Sequence, residues 1–418
     1  MKKLWIVPLA AALFAAGSGG WAEAGTLKGE AAGPARQVQR VSAGHKASPE
    51  KAGEYTKSGA EGPVIEVGLL SAQKEVRLRC LSDAAAEAGG KVLGRYKKGE
   101  TLSVSRSGKD IVLNGRKKEG PVYLRGKEGA AAFAVKGNSY RGSMKLLPSA
   151  YAGGVTVVNA LPLEEYLLGV VPSEVSPSWH EDALRAQAVA ARTYAVYHKD
   201  GYRSAGYDVT DDTRSQVYRG VSAESASSSR AVRATAGEVV TYKGRPIEAL
   251  FHASGGGYTE NSENVWGSAV PYLRGVAEET APEVSRPWTK TVSLSSFGQA
   301  AGVGKLKKIG LSKLKKGPMK AKDRGVSGRV LSVVLEGSGG KKKLSGSTMQ
   351  GLFGLPSTLF DLSVKGKQVV ITGYGSGHGL GLSQWGAEAM AARHGNGKDY
   401  YKTILTHYFT GTKVEKIY

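Results

Sequence analysis

The chain has 418 residues, and 58 Lys and Arg against 36 Asp and Glu give it a formal net charge of +22. The single cysteine excludes an intramolecular disulfide. The positive charge indicates a polyanionic environment or, more simply, a basic soluble surface. For an exported chain, wall polymers or lipid headgroups are expected partners before nucleic acid, because export removes most nucleic-acid partners.

The amino terminus predicts export. Lys2 and Lys3 precede the apolar run from Leu4 to Ala16, and the small-residue triplet Ala22-Glu23-Ala24 follows. This order is typical of a signal peptide, which we place over residues 1–24. The apolar run is shorter than the ~20 residues of a membrane-spanning helix. An uncleaved anchor is the alternative, and membrane contact is expected only in that case.

The next stretch, residues 25–62, is rich in Gly, Ala, Ser, Lys and Glu, with Tyr55 as its only aromatic residue. Such a composition cannot bury enough apolar area to offset chain entropy, and it predicts a disordered linker. Residues 63–154 carry short β-like runs separated by turns that contain glycine, such as Val64–Val67 and Asp110–Asn114. A β-rich subdomain is expected there.

Cys80 lies in an alternating, strand-like segment of this subdomain, and we expect it to be a small core residue. Residues 155–418 form the predicted second domain, which opens on a strand-like run, Val155–Asn159. The sequence as a whole predicts an α+β fold, in which a mixed, β-rich domain and a few helices form a substrate cleft.

Two helices are predicted early in the second domain. Residues 161–169 have helical spacing and end on a glycine, and an extended path through Glu174 is expected to follow because of Pro172. A longer helix is predicted over residues 181–198, with an acidic first turn and Gly201 placed to end it. An alanine-rich face of this helix is expected to be core: Leu184, Ala188, Ala191 and Ala195.

The remaining pattern contains a hairpin within residues 237–266 that turns at Lys243-Gly244, and a glycine-rich loop at residues 254–257. Clustered lysines mark a segment at about 298–345. Such clusters are usually solvated loops, and contact with the wall is the alternative. The chain closes with a strand at 368–372 and two helices, near 387–393 and 399–409.

Glu174 is the first candidate for chemistry. Its neighbours include Pro172 and Trp179, and apolar surroundings could desolvate the carboxyl and raise its pKa into the range of a general acid. Cleavage of a glycosidic bond requires such an acid, because the leaving oxygen must be protonated. From these residues alone, a carboxylate that caps the following helix is an equally good interpretation.

The second candidate is the glycine-rich run at residues 373–386. Glycines let backbone approach a ligand, and His378, Gln384 and Trp385 offer hydrogen bonds and a stacking platform suited to sugars. His252 is expected at a second edge of the same cleft. The run disfavours nucleotide binding because it lacks a phosphate-binding fingerprint. Serine-hydrolase and metal-site patterns are also missing from the sequence.

Several segments together resemble one family, the stage II sporulation protein D (SpoIID/LytB) family. The ordered motifs, which cover roughly Val155 to Tyr418, are Pro172-Ser173-Glu174 with Trp179, residues 183–194, Gln216–Gly220, Ile247–His252 with Ser254-Gly255-Gly256, Glu260–Trp266, Ser376–Gly379, and Ser383–Ala387. The resemblance implies a lytic transglycosylase that acts on peptidoglycan and has Glu174 as its acid. It also implies a substrate-binding set of Gln187, Arg192, Tyr194, His252, Ser254, Ser376, His378, Gln384 and Trp385.

One departure from the family pattern concerns zinc. Some members carry cysteines and a histidine before the Gln-Val-Tyr motif, whereas residues 208–215 of this chain contain neither residue type. We therefore expect no zinc and no other cofactor. Asp211, Asp212 and Arg214 are expected to form a polar network instead.

The resemblance also implies two rival roles. Some members are described as enhancers of a cell-wall amidase, which would make this chain a non-catalytic wall protein with an amidase as its partner. A purely structural polyanion binder is the third hypothesis. In each case peptidoglycan or another wall polymer, not nucleic acid, is the expected partner.

Overall fold

A computed structural model describes residues 62–150, 153–281, 283–315, 317–395 and 399–418. The predicted signal peptide at 1–24 lies outside the described residues, as does the predicted linker apart from Gly62. Within the described ranges, no helix is both long enough and apolar enough to cross a membrane.

The fold is α+β, as the sequence predicts. Its strands are β1 (Val64–Gln73), β2 (Glu75–Cys80), β3 (Ala84–Ala88), β4 (Lys91–Tyr96), β5 (Thr101–Ser107), β6 (Asp110–Leu113), β7 (Arg116–Glu119), β8 (Val122–Arg125), β9 (Phe133–Val135), β10 (Asn138–Tyr140), β11 (Ser143–Pro148), β12 (Val155–Pro162), β13 (Val209–Thr210), β14 (Glu238–Tyr242), β15 (Arg245–Pro246), β16 (Phe251–His252), β17 (Trp288–Ser293), β18 (Leu306–Gly310), β19 (Ser332–Gly337), β20 (Gly340–Ser345), β21 (Phe360–Lys365), β22 (Gln368–Gly373), β23 (Leu382–Ser383) and β24 (Lys413–Lys416). Its α-helices are α1 (Leu163–Glu174), α2 (Glu181–Tyr197), α3 (Ala226–Ala234), α4 (Ser262–Trp266), α5 (Leu294–Ala300), α6 (Gly346–Phe353), α7 (Gln384–His394) and α8 (Tyr400–Tyr408).

The largest sheet has seven strands in the order β13-β1-β12-β11-β8-β3-β4. Strand β12 lies inside it, antiparallel to β1 on one side and to β11 on the other. Val157 and Val158 point to opposite faces of the strand, and both are fully buried because each face is covered by a separate group of apolar side chains. The predicted domain boundary between residues 154 and 155 therefore falls between two neighbouring strands of one sheet.

The second large sheet has six strands in the order β10-β9-β2-β5-β6-β7. Cys80 ends β2 and is fully buried, which confirms the prediction of a core residue. Burial raises the pKa of its thiol to about 11, so the group stays protonated at neutral pH.

Helix α1 corrects a prediction. We expected an extended path through residues 170–174, but the helix continues past Pro172 and ends at Glu174. Proline in the last turn removes a single intrahelical hydrogen bond, whereas Val170 and Val171 gain complete burial by staying helical. The Ser173 hydroxyl donates to the carbonyl of Gly169 at 2.7 Å, which satisfies a backbone acceptor near the proline. Glu174 is thereby placed at the carboxyl end of a helix.

Helix α2 agrees with its prediction to within one residue. It begins after His180, whose Nδ1 accepts a hydrogen bond from the amide of Asp182 at 3.2 Å. The predicted core face is confirmed, since Leu184, Ala188, Ala191 and Ala195 are all buried in the main apolar core.

The later elements mostly match as well. Strands β14 and β15 form the predicted hairpin, and Lys243 and Gly244 both have positive φ, as a tight hairpin turn requires. Strand β22 and helices α7 and α8 lie where they were expected, although α7 begins three residues earlier.

The lysine-rich segment agrees only in part with its prediction as a set of solvated loops: Lys313 and Lys315 are exposed outside helices and strands, but other lysines are not in loops. Lys307 and Lys308 lie on β18, and Lys341–Lys343 lie on β20. The two strands flank β19, whose Val333 and Leu335 are fully buried. The apolar side of this sheet holds the segment in place, so these lysines stand on a regular surface.

Candidate active site

Glu174 is held at the end of α1 by a backbone donor. The amide of Val217 donates to its Oε1 at 2.6 Å. Burial raises the pKa of the Glu174 carboxyl to about 7, while the Val217 amide and the Gln384 side chain act in the opposite direction. The residue nevertheless keeps an intermediate exposure. It can therefore hold a proton near neutral pH and still be reached by a ligand.

The alternative role of Glu174 as a helix cap is wrong, because His180 is the capping residue of α2. The carboxyl instead lies at the negative end of the α1 dipole. That position disfavours the ionised form and acts in the same direction as burial.

A buried network fixes the segment that carries the Val217 amide. The neighbouring Gln216 is fully buried, accepts a hydrogen bond from the Tyr166 hydroxyl at 3.3 Å and donates to the carbonyl of Ala191 at 3.2 Å. It thereby ties this segment to α1 and α2 at once. We did not predict Gln216 or Val217 as site residues, although Gln216–Gly220 was among the motifs that carried the resemblance.

Tyr194 lies close enough to Glu174 to feel the charge of its carboxylate. Burial raises the pKa of the Tyr194 phenol far above its usual value, and the charges of Glu248 and Glu174 add to that effect. Gln187 lies seven residues earlier on α2 and shares its face, since seven residues make about two helical turns. Gln187 is buried, and neither its Oε1 nor its Nε2 has a hydrogen-bond partner among the described residues.

Arg192 does not belong to this face. It lies five residues after Gln187, about 140° around the helix, and it is fully buried. Its Nε and Nη2 each donate to a carboxylate oxygen of Glu164 at 2.7 Å. The predicted contact between Arg192 and substrate is therefore wrong, because the guanidinium is enclosed in an ion pair that joins α1 and α2.

Helix α7 carries the next two predicted residues, Gln384 and Trp385, and brings Gln384 close to Glu174. Gln384 is its first residue and is buried. Its amide lies close enough to affect the Glu174 pKa, but no hydrogen bond of normal length joins the two, and its Nε2 has no partner among the described residues. The next side chain, Trp385, packs against Trp179 with the ring centroids 4.8 Å apart. Both tryptophans remain partly exposed.

Two loops that are distant in sequence meet behind these residues. Ser254 and Ser376 exchange two backbone hydrogen bonds, of 3.1 and 2.9 Å. A Cβ atom on Gly375 would lie 2.6 Å from the carbonyl oxygen of Ser254. This glycine therefore permits the close packing of two loops, whereas the sequence suggested the approach of a ligand. The Ser254 side chain is buried, and Ser376 is exposed.

The two predicted histidines, His252 and His378, hold these two loops together through contacts with backbone groups. His378 uses both ring nitrogens: Nδ1 accepts from the amide of Leu380 at 3.0 Å, and Nε2 faces the carbonyl of Phe251 at 3.1 Å. Burial, aided by the charge of Arg329, lowers the pKa of His378 to about 4, so the ring is neutral. Burial also lowers the pKa of His252, whose Nδ1 lies 3.1 Å from the carbonyl of Leu380.

The predicted polar network at residues 211–214 is present in part. Arg214 forms an ion pair with Asp212 at 2.9 Å, and the backbone carbonyl of Asp211 accepts a hydrogen bond from the backbone amide of Tyr218. Over the described stretches of the chain, no three His, Cys, Asp or Glu side chains are grouped so that they could hold a metal ion.

These features define a mixed α+β protein with a half-buried, protonatable carboxyl near the unpartnered amide of Gln384. The sequence model described as "Stage II sporulation protein" matches residues 151–242. Stage II sporulation protein D of Bacillus amyloliquefaciens is 35% identical over 277 residues, which cover 62% of this chain and 76% of that protein. The chain therefore belongs to the stage II sporulation protein D family.

Two further relatives extend the comparison. An uncharacterized protein of Brachyspira hyodysenteriae is 35% identical over 318 residues, or 75% of this chain and 82% of its own length. A Bacillus subtilis protein named amidase enhancer is 32% identical over 292 residues, which cover 59% of this chain and 40% of that protein.

Proposed function

We propose that this chain is an exported, cell-wall-associated lytic transglycosylase that cleaves peptidoglycan between N-acetylmuramic acid and N-acetylglucosamine. The observation that carries the proposal is Glu174, a carboxyl whose pKa is raised to about 7 while the residue stays partly exposed. A general acid works best when its pKa lies near the pH at which it operates.

The reaction needs one carboxyl group. The Glu174 proton is transferred to the glycosidic oxygen as the bond from that oxygen to C1 of the muramic residue breaks. The Glu174 carboxylate then accepts the proton of the muramic 6-hydroxyl, and the oxygen of that hydroxyl forms a bond to C1. The products are a free N-acetylglucosamine 4-hydroxyl and a 1,6-anhydromuramic end. The cycle consumes no water and returns Glu174 to its protonated form.

Gln384 near Glu174, the buried amide of Gln187 and the partly exposed tryptophan pair suit an acetylated sugar chain. Gln384 is nine-tenths buried and Gln187 is buried more completely, yet each amide has atoms without a partner. Buried polar groups of this kind are costly unless a ligand pairs with them. The acetamido groups of both sugars offer a donor and an acceptor, and the rings of Trp179 and Trp385 offer apolar faces for stacking.

The test uses purified glycan strands, both intact and stripped of their peptides. We expect the wild-type chain to produce 1,6-anhydromuramic ends that mass spectrometry detects, and Glu174→Gln to produce them at least about 10²-fold more slowly. Glu119→Gln is the matched control, because it makes the same change at an exposed position on β7. Anhydro ends that form in Glu174→Gln at the wild-type rate, or that are missing for the wild type on both substrates, would contradict the proposal.

A non-catalytic enhancer of a wall amidase is the second candidate, and the relative named amidase enhancer favours it. The two roles differ in their dependence on Glu174. If enhancement is the function, Glu174→Gln should stimulate a cell-wall amidase as strongly as the wild type does, and neither protein should form anhydro ends.

A further inference from the structure

Half of the net charge of the protein is concentrated in one segment. Residues 298–345 contain eleven Lys, two Arg and two acidic residues, which give a formal charge of +11 out of +22. Both arginines are buried, and Arg324 is paired with Asp361. Every lysine of the segment that the structure describes is exposed: Lys305, Lys307, Lys308, Lys313, Lys315, Lys320, Lys322, Lys341, Lys342 and Lys343.

The sheet of β18, β19 and β20 orders several of these lysines. Lys308 and Lys341 lie directly opposite Glu336 from its two sides. Residues that face each other across antiparallel strands point to the same side of a sheet. Lys343, two residues after Lys341, points to that side as well. We call these three lysines the lysine face.

The opposite side of the sheet is occupied. Val333 and Leu335 alternate with the outward-pointing residues of β19 and are fully buried in an apolar core. The lysine face must therefore point to solvent. Among the described residues, none of its lysines forms an ion pair, and Glu336 is the one acidic residue between them. The three lysines and Glu336 together leave this surface with a formal charge of +2.

The composition of the segment restricts the partner. Residues 298–345 contain no aromatic residue, whereas proteins that bind single-stranded nucleic acid rely on aromatic stacking platforms. Among the described residues, none of the exposed large apolar side chains belongs to this segment. The segment therefore offers no apolar anchor for a lipid bilayer. All of its exposed cations that the structure describes are lysines, which bind phosphate as point charges.

We infer that the lysine face binds a linear phosphodiester polymer of the cell wall, of the polyol phosphate class. This is a second binding surface, made of residues that have no part in the chemistry of Glu174. The inference rests on the proposed location at the cell wall, but it does not depend on glycan cleavage. It assigns the polymer a role in holding the protein at the wall by many weak, salt-sensitive contacts.

The experiment measures binding of purified poly(glycerol phosphate) to the full chain over a range of salt concentrations. We expect the triple variant Lys308→Gln, Lys341→Gln and Lys343→Gln to bind at least about tenfold more weakly at low salt. Its slope of log affinity against log salt should be smaller by about 2, since each lost phosphate contact removes about 0.7 from the slope.

The control is the triple variant Lys91→Gln, Lys117→Gln and Lys127→Gln. It loses the same charge at exposed positions that lie about 200 residues earlier in the chain, outside the lysine-rich segment. It should bind like the wild type. Equal weakening by both variants would overturn the inference, because it would show that net charge alone drives binding. Thermal unfolding of both variants verifies that they are folded.

Further titrations compare poly(glycerol phosphate) with other polyanions that the lysine face could bind. Polyglutamate, single-stranded DNA and vesicles of anionic phospholipid are titrated at matched charge concentration. Tighter binding of any of these than of poly(glycerol phosphate) would overturn the choice of a polyol phosphate. Glu174→Gln should bind the polymer as the wild type does, so the outcome is independent of whether the chain cleaves glycan.

Discussion

Glu174 and the lysine face use charge in opposite ways. Glu174 is one carboxyl whose burial raises its pKa to about 7. The lysine face presents Lys308, Lys341 and Lys343 to solvent. Burial changes the pKa of a single group, whereas exposed charges attract a partner through their number and are screened by salt. A catalytic role is therefore expected of the first region and an attachment role of the second.

The largest expected effect is on glycan cleavage. Glu174→Gln keeps the shape of the side chain but cannot donate a proton, and loss of a general acid costs about 10² to 10⁴-fold in rate. The measurement is kcat/KM for release of anhydro ends. The lysine-face variant should retain the wild-type value on short, purified glycan, and a comparable loss there would erase the contrast between the two regions.

Arg192 adds a third case to the comparison of Glu174 with the lysine face, because its charge is buried and forms an ion pair with Glu164. Arg192→Met leaves the Glu164 carboxylate without its cationic partner, and breaking a buried pair in this way destabilises a protein by about 3 to 5 kcal/mol. Urea unfolding measures the change. The double variant with Glu164→Gln should recover much of the loss, whereas an unchanged stability in the single variant would show that the pair has no structural role.

The pH dependence of stability tests the burial of Glu174 without any substrate. The folded-state pKa of about 7 is higher than the ordinary value of 4.5, so the folded protein binds this proton more tightly than the unfolded chain. The contribution of Glu174 to the free energy of unfolding should fall as pH rises from about 4.5 to 7 and then stay constant.

At pH 8, Glu174→Gln should consequently be more stable than the wild type by up to about 3 kcal/mol, because 1.36 kcal/mol corresponds to one pKa unit. At pH 4 the two proteins should be nearly equal. Cleavage by the wild type should decline above pH 7 as the acid loses its proton. A difference in stability that does not vary with pH would show that the pKa of Glu174 is not raised.

The smallest effect is expected at Gln187. Both polar atoms of its amide are buried without a partner. Gln187→Met replaces them with an apolar chain of similar size and should stabilise the protein by about 1 kcal/mol. The same change should lower kcat/KM if the amide pairs with a sugar. Thermal unfolding and kinetics together give the answer, and a loss of stability would indicate that Gln187 is satisfied by bound water.

The sequence predicted what local patterns determine. The apolar spacing of α2 and the turn residues of the β14–β15 hairpin gave their positions nearly to the residue. The path to Glu174 was wrong because the burial of Val170 and Val171 outweighs the local preference that Pro172 imposes. That gain comes from tertiary packing, which a single sequence does not display.

The site shows the same division. Glu174 was a candidate from its neighbours, but the donor that holds it is the backbone amide of Val217. Every residue other than proline carries such an amide, so no sequence pattern marks it. Arg192 was misassigned because motif membership does not reveal which face of α2 a residue occupies relative to its partner Glu164.

Strand β12 has a practical consequence for dissecting the protein. Because it hydrogen-bonds to β1 on one side and to β11 on the other, a fragment beginning at residue 155 would display two unpaired edges and the apolar surface around Val157. Exposed strand edges of this kind promote association between chains. A recombinant fragment intended for crystallisation or assay should begin before Val64, so that both neighbours of β12 are retained.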